Sequence, residues 1–448
     1  MHIVLPVHHF PPRYVAGAEL YTYRLARHLQ QLGHRVDVIC VESVSEGTLE
    51  PQCVSEEYEG IPVHRLLFNL ALAPDPRRWE FWNPQLGEWF GRFLEEHRPD
   101  LVHLQGGYLL TGSVARAAQA AGLPVILTLH DFWFLCPRIH LQRPDGTLCE
   151  VPDDPAECAW CLLTEKRRYR LPDRVSRGLV GRLAQNLLRP SIPGHLTGWS
   201  ARVETMHERR QRLAEVLHAM DLLIVPSRFL ERIFIQRGGV VPDLLYYSRY
   251  GLDDMWAQPP ARLDSPNGRL RIGYIGQIAP HKGVHVLLKA VRQLENADGP
   301  WELRIYGDTT RFPQYAQHLR RLAGGHPHIR FEGQVENRHI PAVLADLDVL
   351  VVPSLWYENA PLTILEAHAA GVPVIASDLG GMAEMVRDPQ NGLRFRPGDD
   401  RDLARQIRQF LDEPDFFTRL RRGIRPERLI RDEVAELLTV YRQILEGR

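Results

Sequence analysis

No stretch of this chain approaches the roughly 18 consecutive apolar residues that a membrane-spanning helix needs. Its first residues, MHIVLPVHHF, have neither a charged leader nor a small-residue cleavage site, so they read as a first strand and not a signal peptide. Net charge is nearly absent at −1, which gives no reason to expect nucleic acid as the partner. Lysine is scarce: among 54 basic residues only Lys166, Lys282 and Lys289 are lysines. That bias fits genome composition, but it makes each lysine worth locating. Without a leader, the chain is expected to be cytoplasmic, at most at the inner face of a membrane, with its cysteines reduced unless they hold a metal. What is present suits a soluble globular protein with sizeable cores: 44% hydrophobic and 24% charged residues. A length of 448 residues suits two domains of about 200 each.

The most informative stretch is 348–381, DVLVVPSLWYENAPLTILEAHAAGVPVIASDLGG. Val349–Val352 and Val374–Ala376 read as buried strands, with a loop and a helix over about Leu362–Ala370 between them and Gly371 as the helix stop. Apolar strands flanking a helix suggest parallel strands and a crossover. The loop and first helical turn then lie at the carboxyl ends of the strands, where open α/β sheets bind ligands. Glu358 sits in the loop. Glu366 sits in the helix among Ile364, Leu365 and Ala367, where an unpaired carboxylate is costly. It therefore has a partner or faces a ligand; a salt bridge to an arginine is the plain alternative.

This stretch resembles the signature of the retaining glycosyltransferases of family 4, which have the GT-B architecture, an α/β fold of two facing Rossmann-like domains with a cleft between them. The matching residues are Glu358, Asn359, Pro361, Leu362, Glu366, Ala367, Gly371 and Pro373-Val374-Ile375. The resemblance implies that the helix N-terminus, with Asn359, Ala360, Pro361 and Leu362, receives the diphosphate of a nucleotide sugar. It implies that Glu366 holds the ribose hydroxyls and that Glu358 approaches the transferred sugar. The physical chemistry agrees: backbone amides and a helix dipole suit phosphate, and an acceptor-only carboxylate suits vicinal hydroxyls.

In the first half, His2–Val7 (strand), a loop, Gly17-Ala18-Glu19 opening a helix and Arg35–Val41 (strand) form a Rossmann-like opening. The family has Gly-Gly-Ala-Glu or similar here, and Ala16 replaces the first glycine; Gly17 can still let backbone approach a ligand. The aromatic segment Trp79 to Phe93 reads as a helix packed on the sheet in preference to a lipid-contacting surface, because Trp89 and Phe93 are four apart. Strand Pro124–Leu129 ends in His130, at the position where the resemblance implies a histidine beside the transferred sugar. It is not assigned as a general base, since enzymes of this kind are thought to use front-side attack with the departing diphosphate taking the acceptor's proton. Cys136, Cys149, Cys158 and Cys161 follow, and four thiolates including a Cys-x-x-Cys pair suit a structural zinc. The alternatives are an iron–sulfur centre, a disulfide or unliganded thiols. From Lys166 to Arg212 the chain is rich in arginine. One amphipathic helix with Val175, Leu179, Leu183 and Leu187 on a stripe and Arg174, Arg177 and Arg182 opposite is expected. Such a helix can dock on an anionic membrane or hold a phosphorylated acceptor; a solvated face on a packed helix is preferred.

The second half opens with a linker over 249–268, carrying prolines and a Pro-Asn-Gly turn. Strand Arg269–Gly276 leads into Gln277-Ile278-Ala279-Pro280-His281-Lys282-Gly283, where Lys282 is well placed to meet a diphosphate. The family commonly has arginine at Gln277, and glutamine cannot neutralise phosphate. Backbone around Gln334-Val335 is expected at the nucleobase edge. Asp346-x-Asp348 superficially resembles a metal motif but runs into a buried strand and reads as structural. No catalytic metal is expected.

The expected organisation is an acceptor-side domain over 1–248 with a cysteine-containing insertion at about 136–205. The linker then leads to a nucleotide-sugar domain over 269–430, and a helix over 431–448 returns to the first domain. The expected reaction is sugar transfer to a hydroxyl acceptor, which could be lipid-linked, in polysaccharide or glycolipid assembly, with His130, Lys282 and Glu358 closest to the chemistry. A nucleotide-sugar epimerase and a non-catalytic nucleotide-sugar-binding subunit remain as alternatives. A phosphorylase would need a further lysine suited to pyridoxal phosphate.

Overall fold

Short runs of Val, Ile and Leu with no polar alternation form strands that are covered on both faces, the requirement for parallel sheets. In the computed structural model, which describes residues 1–152, 154–176, 178–188, 200–258, 260–263, 268–294, 300–413 and 415–447, such runs build two sheets. The first contains β1 (His2–Val7), β2 (Arg35–Ser43), β3 (Gln52–Tyr58), β4 (Ile61–Leu67), β5 (Leu101–Leu104), β6 (Val125–Thr128), β7 (Leu222–Val225) and β8 (Leu245–Tyr247). Its order is β3-β4-β2-β1-β5-β6-β7-β8. All neighbours are parallel except the β3–β4 hairpin. The second sheet contains β9 (Leu270–Ile275), β10 (Trp301–Tyr306), β11 (Ile329–Gly333), β12 (Val349–Val352), β13 (Val374–Ser377) and β14 (Gly392–Phe395). It is parallel throughout in the order β11-β10-β9-β12-β13-β14.

Numbered within its own unit, the second sheet runs 3-2-1-4-5-6, so the direction of winding reverses between β9 and β12. The equivalent reversal in the first sheet lies between β1 and β5. Loops leaving the carboxyl ends of these strand pairs splay apart, and both Lys282 and Glu358 follow the second pair.

Two compact units result: Met1–Pro226 with Leu230–Ser248 and Val434–Arg448, and Ser227–Phe229 with Arg249–Glu433. The last helix, Ile430–Glu446, thus begins in the second unit and supplies most of its length to the first. There Val434, Leu437 and Tyr441 are fully buried, and the Tyr441 hydroxyl lies 2.6 Å from Nδ1 of His103. Residues 249–258 pack on the second unit: Leu252 pairs with Leu429, and Trp256 is buried. The Pro-Asn part of the turn expected near Gly268 lies outside the described residues.

Asp346 and Asp348 serve the core. Arg271, almost fully buried, holds Asp346 at 2.6 Å and Asp348 at 3.0 Å, and Arg262 and Arg304 complete the cluster. The aromatic segment packs inward: Phe81, Phe90 and Phe93 are buried, and Trp89 stacks on Phe93 with ring centres 5.5 Å apart.

Two local features differ from the sequence reading. The β3–β4 hairpin was not foreseen; it closes through Glu59 (φ 49°) and Gly60 (φ 82°), a two-residue turn of the kind hairpins favour. The single amphipathic helix expected across Val175–Leu187 is two helices, Arg167–Val175 and Leu179–Leu188. Gly178 at φ 84° breaks them, because a left-handed residue cannot continue a right-handed helix. Arg177 and the side chain of Leu187 lie outside the described residues. Val175, Leu179 and Leu183 are exposed and do not form a packed stripe.

Candidate nucleotide-sugar site in the second unit

The loop after β9 and the loop after β12 are locked together by one glycine. Gly283 has φ 71°, and a Cβ there would lie 1.9 Å from the carbonyl oxygen of Pro353. Only glycine fits both the conformation and the space. Beside it, the Leu355 amide donates to the His281 carbonyl at 2.7 Å. This close approach sets Lys282 against Glu358, 76 positions away in sequence, with Nζ 2.6 Å from Oε1.

Glu358 is 9% exposed. Its Oε1 also accepts from the Ser354 hydroxyl at 2.7 Å and the Trp356 indole N–H at 2.9 Å. Burial works to raise its pKa, but the Lys282 charge and the three donors outweigh burial and hold the carboxyl below the usual range. Among the described residues no hydrogen bond reaches Oε2. The Lys282 ammonium lies 5.0 Å from the centre of the Trp356 ring, a cation–π contact.

A second glycine, Gly381, fixes the same loop from the other side. A Cβ on Gly381 would lie 1.6 Å from the Asn359 carbonyl oxygen, and the Gly381 amide donates to the Glu358 carbonyl at 2.8 Å. Asn359 is buried and its Oδ1 accepts from the Ser227 hydroxyl at 2.6 Å. Ala360 and Pro361 then lead into the helix Leu362–Ala369. No side chain caps its start; the Ile364 amide donates to the Pro361 carbonyl at 3.0 Å, which leaves the Leu362 and Thr363 amides to meet an anion. Glu366 lies buried on this helix at 8% exposure.

Gln277 is half-buried at the start of the Lys282 loop, its carbonyl accepting from the Tyr274 hydroxyl at 2.7 Å. Among the described residues its side-chain amide makes no hydrogen bond. Val335 is half-buried after β11, at the outer edge of the sheet and separated from β9 by β10. The structure thus brings Lys282 and Glu358 into contact on the segment that carries Asn359 and Glu366, while Val335 follows β11, two strands from β9. Ser354 and Trp356 were not singled out in the sequence. Their alternate spacing ahead of Glu358 was the available signal, since two side chains in an irregular loop could have been recognised as donors to a buried carboxylate.

Gly17 and His130 belong to the first unit. Gly17 opens the helix Gly17–Gln31 and is exposed, with open space where a Cβ would stand. His130 follows β6; its Nε2 lies 3.0 Å from Oε1 of Gln105, and its ring meets Tyr21 edge-on at 5.1 Å. Burial, with His8 and His103 nearby, pushes its pKa down to about 3, so the imidazole is neutral near pH 7.

Cys136 is buried, and Cys149, Cys158 and Cys161 are partly so. Burial pushes the Cys158 and Cys161 thiols up to about 12, and the other thiols of the group add to the effect. Among the described residues no three His, Cys, Asp or Glu side chains stand where they could hold a metal ion.

Comparison with known proteins gives the family. Residues 269–413 match the family described as glycosyl transferases group 1, and residues 16–176 match the glycosyl transferase 4-like domain. The D-inositol 3-phosphate glycosyltransferase of Streptomyces scabiei is 32% identical over 436 residues, covering 93% of this chain and 83% of that protein. The 2-deoxystreptamine glucosyltransferase of Streptomyces kanamyceticus is 28% identical over 326 residues, 70% of this chain and 68% of its own length. In overall fold the chain is similar to HepE of Anabaena, solved in complex with UDP and glucose, with a TM-score of 0.62 at 18% identity over 100% of this chain and 99% of the other.

Proposed function

This chain belongs to the group 1, family 4 glycosyltransferases, and from that premise we propose a retaining enzyme whose transfer to a hydroxyl acceptor proceeds without a catalytic metal. Its reaction is transfer of a sugar from a nucleotide sugar. Polysaccharide or glycolipid assembly is the setting we assign to it.

The contact between Lys282 and Glu358 carries the reading, because it sits at the winding reversal beside an uncapped helix start. An ammonium has three donors. With one committed to Glu358, two can meet the donor's diphosphate. The first-turn amides of Leu362–Ala369 add fixed partial positive charge. Together they stabilise the negative charge that grows on the departing diphosphate, a role that rests on fixed donors and needs no ion. Gln277 binds phosphate without neutralising it, so Lys282 is the cation of this loop.

Glu358 has its Oε1 saturated, which leaves Oε2 to accept from a hydroxyl of the transferred sugar. Glu366 takes the ribose hydroxyls, and backbone near Val335 takes the edge of the base. His130, on the first unit, is a hydrogen-bonding group in this reading and not a base. A pKa near 3 makes it a poor proton acceptor at neutral pH, which agrees with a front-side reaction in which the leaving diphosphate takes the acceptor's proton.

A thermal-shift screen against uridine and guanosine diphosphate sugars tests donor binding, since a ligand that binds only the folded form raises its melting temperature. Glu366→Ala is expected to weaken that shift, and Lys282→Ala to weaken it and abolish turnover. Wild-type activity in both variants would overturn the assignment. Donor binding without turnover by the intact chain would instead favour a non-catalytic subunit, the reading that Gln277 supports.

A structural zinc on Cys136, Cys149, Cys158 and Cys161 is a separate proposal. The donor chemistry supports it, and so do the guanidinium groups of Arg138, Arg143 and Arg209 close to the thiols, which would offset thiolate charge. The side chains as placed do not yet form the coordination sphere, so the metal would have to draw the loop closed. Metal analysis of the purified protein is expected to find at least half an equivalent of zinc, and less would end the idea.

A further inference from the structure

The two helices Arg167–Val175 and Leu179–Leu188 point their apolar residues the wrong way for a core. Gly181 is buried, and a Cβ there would lie 2.6 Å from Nε1 of Trp160. Asp173 ties the pair together, accepting from the Trp160 indole at 3.2 Å and from the Gly181 amide at 2.7 Å. The small and polar residues therefore face the protein. Outward stand Leu171 (43% exposed), Val175 (82%), Leu179 (56%), Val180 (36%) and Leu183 (63%). Five exposed aliphatic side chains within 13 positions are a patch that needs a partner.

Charge indicates which one. Between Lys166 and Leu183 the sequence has seven basic residues and one acidic residue, Asp173, which is engaged inside the hairpin. Lys166, Arg167, Arg168, Arg174 and Arg182 are all exposed around the apolar residues. A second copy of the chain seated on this face would bring two such positive fields together. An anionic bilayer meets both needs, with headgroups for the guanidinium groups and an acyl boundary for the aliphatic side chains. No helix among the described residues is long and apolar enough to cross a membrane, so contact would be at the surface.

We propose that the helix pair Arg167–Val175 and Leu179–Leu188 is a docking element for the surface of an anionic lipid bilayer. The inference stands apart from the sugar-transfer reading, since none of these residues belongs to the site described above. Sedimentation of the full chain with vesicles tests it. Binding is expected to vesicles of equal parts phosphatidylglycerol and phosphatidylcholine, to weaken as salt is raised, and to be lost on phosphatidylcholine alone. Val175→Asp with Leu183→Asp should lower affinity about tenfold or more, with an unchanged melting temperature because both sites are exposed. Arg167→Gln with Arg174→Gln should lower it on charged vesicles through loss of attraction. Absence of binding to the charged vesicles overturns the proposal. So does undiminished binding by the aspartate variant, or a dimer in solution that the aspartate variant converts to monomer.

Discussion

Three donors converge on Oε1 of Glu358, and two of them are neutral. Replacing the carboxylate by an amide keeps the shape but leaves the Lys282 ammonium without its counter-charge. Glu358→Gln is therefore expected to destabilise the protein by about 2 kcal/mol and to lower turnover while the fold persists. The pH dependence has a definite sign. The carboxyl is held below its ordinary value in the folded protein, so its contribution is fully present above the ordinary carboxylate range and is lost as pH falls through the lowered folded value. Melting curves of wild type and Glu358→Gln should converge under acid conditions and stay apart near pH 7; a gap that widens on acidification would contradict the pairing. Gly283→Ala tests the geometry that creates the contact. With φ at 71° and the Pro353 oxygen 1.9 Å from the new methyl carbon, the loop must shift, at a cost of roughly 1–3 kcal/mol. Donor binding should fall with stability, because Lys282 moves with its neighbour; an alanine variant with wild-type donor affinity would show that the lysine is not held this way. Both Lys282 and Glu358 were legible in the sequence as separate candidates, one before a glycine and one in a signature loop. Their contact was not, since it depends on a backbone approach between strands far apart in the chain.

At the scale of elements, the parts that sequence reading captured share one property: their pattern is set by burial. β12 is a four-residue apolar run and β13 is apolar up to Ser377, every position of both is buried, and the helix between them ends at a glycine in the left-handed region. The parts it missed are set by local backbone chemistry. β3 is exposed along nearly its whole length, so it lacks an apolar signature, and only Glu59-Gly60 marks the hairpin. The basic helix pair shows the same limit. Helical spacing placed Val175, Leu179 and Leu183 on one stripe, but a stripe does not say whether it faces the core or solvent. Gly178 and Gly181 decide it, one by breaking the helix and the other by seating the second helix on Trp160. Gly181→Leu should consequently disrupt the hairpin by forcing the Trp160 ring aside. Intrinsic fluorescence would report the change in the indole's surroundings, and an unchanged spectrum would count against this packing.

Over the whole molecule, the chain returns to its first unit only after the second is complete, because Val434–Arg448 cluster with the N-terminal sheet. His103, on the central strand β5, is fully buried and lies between the Tyr441 hydroxyl at 2.6 Å and the Thr128 hydroxyl at 2.7 Å. Burial pushes its pKa down to about 3, so the ring is neutral and depends on these two hydroxyls to satisfy its nitrogens. Removing Tyr441 would take away a buried aromatic side chain, typically worth about 3–5 kcal/mol, and would also leave one imidazole nitrogen without its partner. The second unit loses no sheet strand when the chain is cut after Glu433, and Leu429, Ile430 and Glu433 remain to pair with 251–252. A chain truncated after Glu433 should therefore lose the cooperative melting of its first unit and keep a transition that shifts upward with the nucleotide sugar that stabilises the full chain. The full chain with Tyr441→Phe should fall between the two, retaining the ring but not the hydroxyl. If truncation instead abolished the sugar-dependent shift while circular dichroism showed the first unit still folded, the last helix would be a support of the donor site and not the closing element of the N-terminal core.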